Sequence, residues 1–121
     1  MRWLTFNLII MNPENDILMA ALHECATACE LCFSASLRQE HINDLGDCIR
    51  FTAECAKVCR LTESLLASES RFTAELVDVC SDVCAGCARE CEQHEHKHCK
   101  ICAAACRKCE EACENFAPST L

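Results

Sequence analysis

The stretch CARECEQHEHKHCKICAAACRKC, residues 87 to 109, sets six cysteines at gaps of mostly three and four residues and breaks the rhythm with His94, His96 and His98. Thiolate is a soft ligand that suits Cu(I), Zn(II) and iron–sulfur clusters, and imidazole also binds copper and zinc. The chemistry on offer is therefore metal binding. The pattern extends beyond this stretch, because the chain carries fifteen cysteines: Cys25, Cys29, Cys32, Cys48, Cys55, Cys59, Cys80, Cys84, Cys87, Cys91, Cys99, Cys102, Cys106, Cys109 and Cys113. Six C-x-x-x-C pairs stand among them: Cys25/Cys29, Cys55/Cys59, Cys80/Cys84, Cys87/Cys91, Cys102/Cys106 and Cys109/Cys113. On a helix such residues lie roughly 5–6 Å apart at Cβ, so both sulfurs can reach one ion.

C-x-x-C pairs occur as well, and Cys84/Cys87 with Cys99/Cys102 could be read as a zinc ribbon with a short spacer. Structural zinc, however, takes four closed tetrahedral ligands, normally presented on turns. A continuous seam inside helices would leave many cysteines outside any such quartet. The ferredoxin run C-x-x-C-x-x-C-x-x-x-C-P is absent, which weakens the iron–sulfur reading. Cu(I) carries one charge and tolerates two or three bridging thiolates, so it can be stacked along a core. Copper fits best, with a general thiolate buffer for zinc or other soft metals as the rival. Redox C-x-x-C motifs usually sit exposed at a helix N-terminus beside a βαβ pattern. That pattern is missing here, no Ser/His/Asp or paired-carboxylate constellation stands out, and no enzymatic activity is expected.

These ligands must be held by helices. Four helical segments are expected: about Pro13 to Gln39, Asp44 to Ala67, Ser70 to Gln93 and Lys97 to Asn115. Asn12 is the expected cap and Pro13 the first helical residue of the first segment; Ser70 is the expected cap of the third. Short connections between long helices predict an all-α, antiparallel up-down four-helix bundle. At 100° per residue, the cysteines from Cys80 to Cys91 stay within a stripe about 60° wide, and those from Cys99 to Cys113 within about 80°. These are the a/d seams of a bundle. Cysteine thus takes the places of Leu and Ile although it buries less apolar area, which makes purely structural packing a poor explanation. Buried thiols stay protonated, so the metal-free bundle is expected to fold with a neutral core and to release protons as metal enters.

The antiparallel arrangement gathers Leu18, Leu22, Leu65, Leu66, Phe72, Leu76 and Phe116 at one end, an expected apolar plug. The other end brings together His41, His94, His96, His98, Cys91 and Cys99. His94, His96 and His98 are candidate ligands that pass copper to Cys91 or Cys99. His23 lies off the seam and has no assigned role.

Composition agrees with this class. The 121 residues are about half apolar and a quarter charged, with two Gly, two Pro and no Tyr, which favours one helical domain. Asp and Glu outnumber Lys and Arg by 19 to 11, for a formal charge of −8. A nucleic-acid partner is not expected, because phosphate binding needs a basic footprint. An odd number of cysteines and no evident export signal argue for free thiols or metal thiolates in a reducing cytoplasm. The first ten residues, MRWLTFNLII, lack a small-residue cleavage site and are too short to span a membrane; no membrane association is expected. Residues 1–12 read as an apolar extension, or an over-long start upstream of Met11. Residues 13–116 read as the bundle and 117–121 as a tail.

The seams, above all CARECEQHEHKHCKICAAACRKCEEAC, resemble the cytosolic copper storage proteins over about residues 13 to 116. That resemblance implies a cysteine-lined four-helix bundle that binds many Cu(I) ions and assembles as a homotetramer. It also implies that the six C-x-x-x-C pairs are the primary Cu(I) sites and the other cysteines bridging or additional ligands. The family has exported members with a twin-arginine signal and Met-rich mouths. This chain has no twin arginine, its histidine-bearing mouth resembles the cytosolic branch, and its N-terminal decapeptide maps to no part of the family pattern.

Overall fold

The computed structural model describes residues 13–117 and contains four α-helices with, among the described residues, no strand. They are α1 (Pro13–Leu37), α2 (Gly46–Ala67), α3 (Thr73–Glu92) and α4 (Lys97–Glu114). Each helix packs on its sequence neighbours, and α1 also packs on α4, while the diagonal pairs stay apart. That is the expected up-down bundle. Residues 1–12 and 118–121, including the apolar decapeptide and the Asn12 cap, lie outside the described residues.

All four helices present one seam at steps of three and four. On α1 it runs Leu18, Leu22, Cys25, Cys29, Cys32, Ser36, and on α2 Cys48, Thr52, Cys55, Cys59, Thr62, Leu66. On α3 it runs Thr73, Val77, Cys80, Cys84, Cys87, Cys91, and on α4 Cys99, Cys102, Cys106, Cys109, Cys113. Sequence reasoning missed Ser36, Thr52 and Thr62. The signal was there: Cys48 and Cys55 stand seven positions apart, two helical turns, so the seam must pass through a residue between them. The buried threonines satisfy their hydroxyls on their own helix, Thr52 Oγ1 donating to the Cys48 carbonyl at 2.8 Å and Thr62 Oγ1 to that of Val58 at 2.7 Å.

The connections differ in detail from expectation. Leaving α1, the Arg38 and Gln39 N–H groups bond to the Ala35 and Ser36 carbonyls at 3.2 Å. A short 3-10 turn, Ile42–Leu45, then buries Leu45 against the bundle before Gly46 opens α2. This anchoring moves the start of α2 two residues past Asp44. Between α2 and α3, the Ser70 N–H reaches the Leu65 carbonyl at 2.9 Å and the Glu69 N–H that of Leu66 at 3.2 Å. That is a Schellman stop, with Glu69 at φ 55° in the left-handed place usually given to glycine. Ser70 accepts a hydrogen bond from the Phe72 N–H at 3.1 Å, but α3 begins only at Thr73, because the stop uses up the intervening residues.

The apolar end is also narrower than expected. Leu18, Leu22 and Leu66 are buried and Val77 joins them, but Phe72 is 53% exposed with the Arg71 guanidinium 5.0 Å above its ring. It belongs to the turn and not to the plug. The segment Asn15–Leu37 is long and apolar enough to cross a membrane, yet half its seam consists of cysteines sealed in the bundle.

Candidate metal centre

All fifteen cysteines are free and buried. Their sulfurs approach across helices to 3.7–4.0 Å, as in Cys29–Cys106 at 3.7 Å, Cys25–Cys55 at 3.9 Å and Cys59–Cys84 at 3.8 Å. That is far beyond the roughly 2.05 Å of a disulfide. A metal–sulfur bond of about 2.3 Å places sulfurs about 3.8 Å apart in a tetrahedron and about 4.0 Å apart in a trigonal plane. The spacing is that of a ligand set waiting at coordination distance.

Four sulfur quartets show how the seams combine: Cys59/Cys80/Cys84/Cys109, Cys25/Cys55/Cys59/Cys84, Cys25/Cys29/Cys55/Cys106 and Cys29/Cys87/Cys102/Cys106. Each is built on one C-x-x-x-C pair plus one thiol from each of two neighbouring helices. Neighbouring quartets share an edge, first Cys59/Cys84, then Cys25/Cys55, then Cys29/Cys106. Along the bundle, the pair of helices supplying these sulfurs passes from α3/α4 (Cys80/Cys109) through α2/α3, α1/α2 and α1/α4 back to α3/α4 (Cys87/Cys102). The column is a spiral that makes one circuit of the bundle.

At the histidine end Cys48 lies 3.9 Å from Cys32, Cys91 and Cys99, and Cys32 lies 4.0 Å from Cys99. His98 joins Cys32 and Cys99 in a further possible ligand group. Its Nε2 is buried and has no hydrogen-bond partner among the described residues, and burial holds its pKa below the usual imidazole value. A neutral imidazole with a bare nitrogen beside two thiols is a ready ligand. His94 is placed differently: its Nε2 pairs with Glu90 Oε2 at 2.7 Å. His96 is exposed, stacks on the His98 ring with centroids 5.1 Å apart, and supplies the carbonyl that starts α4. His41 is exposed in the neighbouring turn. His23 lies on the outer surface with Glu63 and Arg60.

The thiols do not titrate alike. Neighbouring S–H groups, chiefly that of Cys106, hold Cys25, Cys55 and Cys102 below the ordinary thiol range, and Cys109 does the same for Cys80. The donors are correspondingly held protonated: Cys102 keeps Cys29 and Cys106 high, and Cys109 keeps Cys59 and Cys84 high. Cys99 is pushed up to about 12, mainly by burial. In four of the six C-x-x-x-C pairs one sulfur is shifted down and its partner up, and the thiols shifted up give their protons away as metal enters.

The shared edges decide which ion suits the column. Ions at the centres of two tetrahedra sharing an edge would stand about 2.7 Å apart for metal–sulfur bonds of about 2.3 Å. At a given separation and dielectric, two monovalent ions repel with one quarter of the energy of two divalent ions. Closed zinc quartets need ligands of their own, whereas these are held in common. A larger cleft of about 450 Å³ lies outside the bundle between α1 and α2, lined by Phe33, Ala53, Ala56 and Lys57 among others, and reaches no cysteine.

The profile of the copper storage protein family matches residues 11–118. The Bacillus subtilis (strain 168) protein YhjQ, described as an uncharacterised cysteine-rich protein, is 36% identical over 107 residues, covering 88% of this chain and 99% of its own. Among solved structures, the Cu(I)-bound copper storage protein BsCsp3 superposes with a TM-score of 0.81 at 36% identity, over 84% of this chain and 95% of its own. A cytosolic copper storage protein from Streptomyces lividans, loaded with five coppers, gives the same TM-score and identity over 84% of this chain and 89% of its own.

Proposed function

The chain belongs to the copper storage protein family, and from that premise we propose that it takes up many Cu(I) ions along its sulfur column and holds them for storage, detoxification or both. The observation that carries this reading is the sharing of sulfur pairs between successive quartets. Bridging thiolates accommodate a stack of soft monovalent ions and disfavour a series of closed divalent sites. The fifteen cysteines are the proposed ligands, with Cys25/Cys29, Cys55/Cys59, Cys80/Cys84 and Cys102/Cys106 each at the heart of one quartet. His98 is the proposed imidazole ligand at the column's mouth. His94 and His96 act before it, as transient ligands during admission. The storage unit is residues 13–116, its setting is the cytoplasm, and its assembly is a homotetramer. The protein works by binding and release, without catalysis.

The test is an anaerobic Cu(I) titration of the reduced protein against a chromogenic chelator, with Zn(II) in parallel and circular dichroism throughout. Uptake should approach roughly one Cu(I) per cysteine on a chain that is helical before metal is added. Saturation at only a few ions, or helix that forms only with zinc, would favour the zinc buffer instead. Native mass spectrometry of the loaded sample reads the tetramer directly.

A further inference from the structure

The histidine mouth is not the only place where the sulfur column comes near solvent. Fourteen of the cysteines have no exposed surface at all, and Cys113 alone has some, at 4%. It sits at the far end of the column, where its thiol interacts with those of Cys109 and Cys80. Beside it, between α3 and α4, lies a cleft of about 180 Å³ lined by Val77, Asp78, Ser81, Cys113, Glu114 and Phe116 together with Ala74. That volume exceeds several times the roughly 30 Å³ share of one water in the liquid. Asp78 and Glu114 are exposed at its rim and Val77 is buried in its wall. Leu18, Leu22 and Leu66 are buried at this end of the bundle, and the cleft lies beside them with Cys113 among its lining residues.

We propose that this cleft is a second port, at which a small thiol removes Cu(I) from Cys113 by ligand exchange. The proposal rests on the storage reading above. In the exchange the incoming thiol gives up its proton and its sulfur bonds to the ion. The bond from the ion to Cys113 breaks, and the Cys113 sulfur takes a proton. Copper remains Cu(I) throughout, and no oxidant or reductant is needed. Cys113 can then be recharged from the quartet containing Cys80 and Cys109, so the column drains from this end while the histidine end loads. At about 180 Å³ the cleft has room for a small-molecule thiol. The carboxylates of Asp78 and Glu114 select by charge, repelling anionic thiols and attracting cationic ones, an effect that salt weakens.

Two measurements test the port, one without copper and one with it. Reduced metal-free protein is treated briefly with substoichiometric iodoacetamide and its labelled cysteines are mapped by mass spectrometry. Cys113 should be modified first, and Ser81→Leu or Ala74→Leu, which fill the cleft, should delay it; helicity by circular dichroism confirms that each variant folds. Labelling that begins at Cys32 or Cys99, with Cys113 no faster than Cys84, would overturn the proposal whether or not the protein stores copper. In the second measurement, copper-loaded protein releases Cu(I) to cysteamine or to mercaptoacetate with a chromogenic chelator as reporter. Cysteamine should act several-fold faster, and the cleft-filling variants should slow it several-fold at unchanged capacity. Equal rates for the two thiols, or no effect of filling the cleft, would also overturn it. Failure to load copper at all would count against the storage reading, and the labelling result would still stand by itself.

Discussion

Cys84 is shared by two of the sulfur quartets, while Thr52 occupies an equivalent seam position without a sulfur. The two residues make a matched pair of tests. Cys84→Val puts a somewhat larger apolar side chain in a fully buried place, so the metal-free protein should lose about 1–3 kcal/mol while remaining folded. Its copper capacity should fall by about one ion, because the two sites that meet at the Cys59/Cys84 edge lose a shared sulfur. Thr52→Val should leave capacity unchanged, which the same chelator titration reads. His98 adds a pH dependence whose sign follows from its lowered pKa. Between its folded pKa and the ordinary value near 6.5, the unfolded chain binds the proton and the folded chain does not. The contribution of this site is therefore fully present above about pH 6.5 and is lost as pH falls below it. Urea unfolding of the metal-free protein between pH 7.5 and 5 should show that decline, and His98→Phe should flatten it.

At the scale of the elements, the seams and their antiparallel order were legible because cysteine marks the inward face of all four helices. The inward, buried positions of the cysteines from Cys25 to Cys113 follow from spacing alone. What spacing along one chain leaves open is the partnership between helices. Which C-x-x-x-C pair meets which single thiol depends on the axial offset of neighbouring helices, and turns that no periodicity describes set that offset. The Schellman stop at Glu69 and the buried Leu45 of the 3-10 turn are such turns. Phe72 was misplaced for the same reason, since its position depends on where the stop lets α3 begin. The separate roles of His94, His96 and His98 were equally hidden, because Glu90 is what draws His94 away. The stop itself is open to test. A non-glycine residue in the left-handed region costs about 1 kcal/mol, so Glu69→Gly should raise the melting temperature of the metal-free protein. For a chain of 121 residues, about 1 kcal/mol corresponds to roughly 4 °C.

The whole molecule carries a formal charge of −8 before any thiol ionises. Each protonated thiol that exchanges its proton for one Cu(I) leaves that charge unchanged. Loading to one ion per cysteine should therefore release about one proton per copper, measurable with a pH-stat. The mobility of the protein on a native gel should stay where it was. Fewer ions than ionised thiols would make the loaded protein more acidic and faster-migrating, so mobility is an independent check on the capacity.

The spiral of shared sulfur pairs has a mechanical consequence. Because each step along it joins a different pair of adjacent helices, a filled column ties every helix to both of its neighbours. Copper would then act as a ladder of reversible cross-links that closes the bundle into a ring, with no seam left at which one helix could peel away. A fully charged store would become a slow-unfolding, protease-resistant particle, and it would soften again as its cargo left.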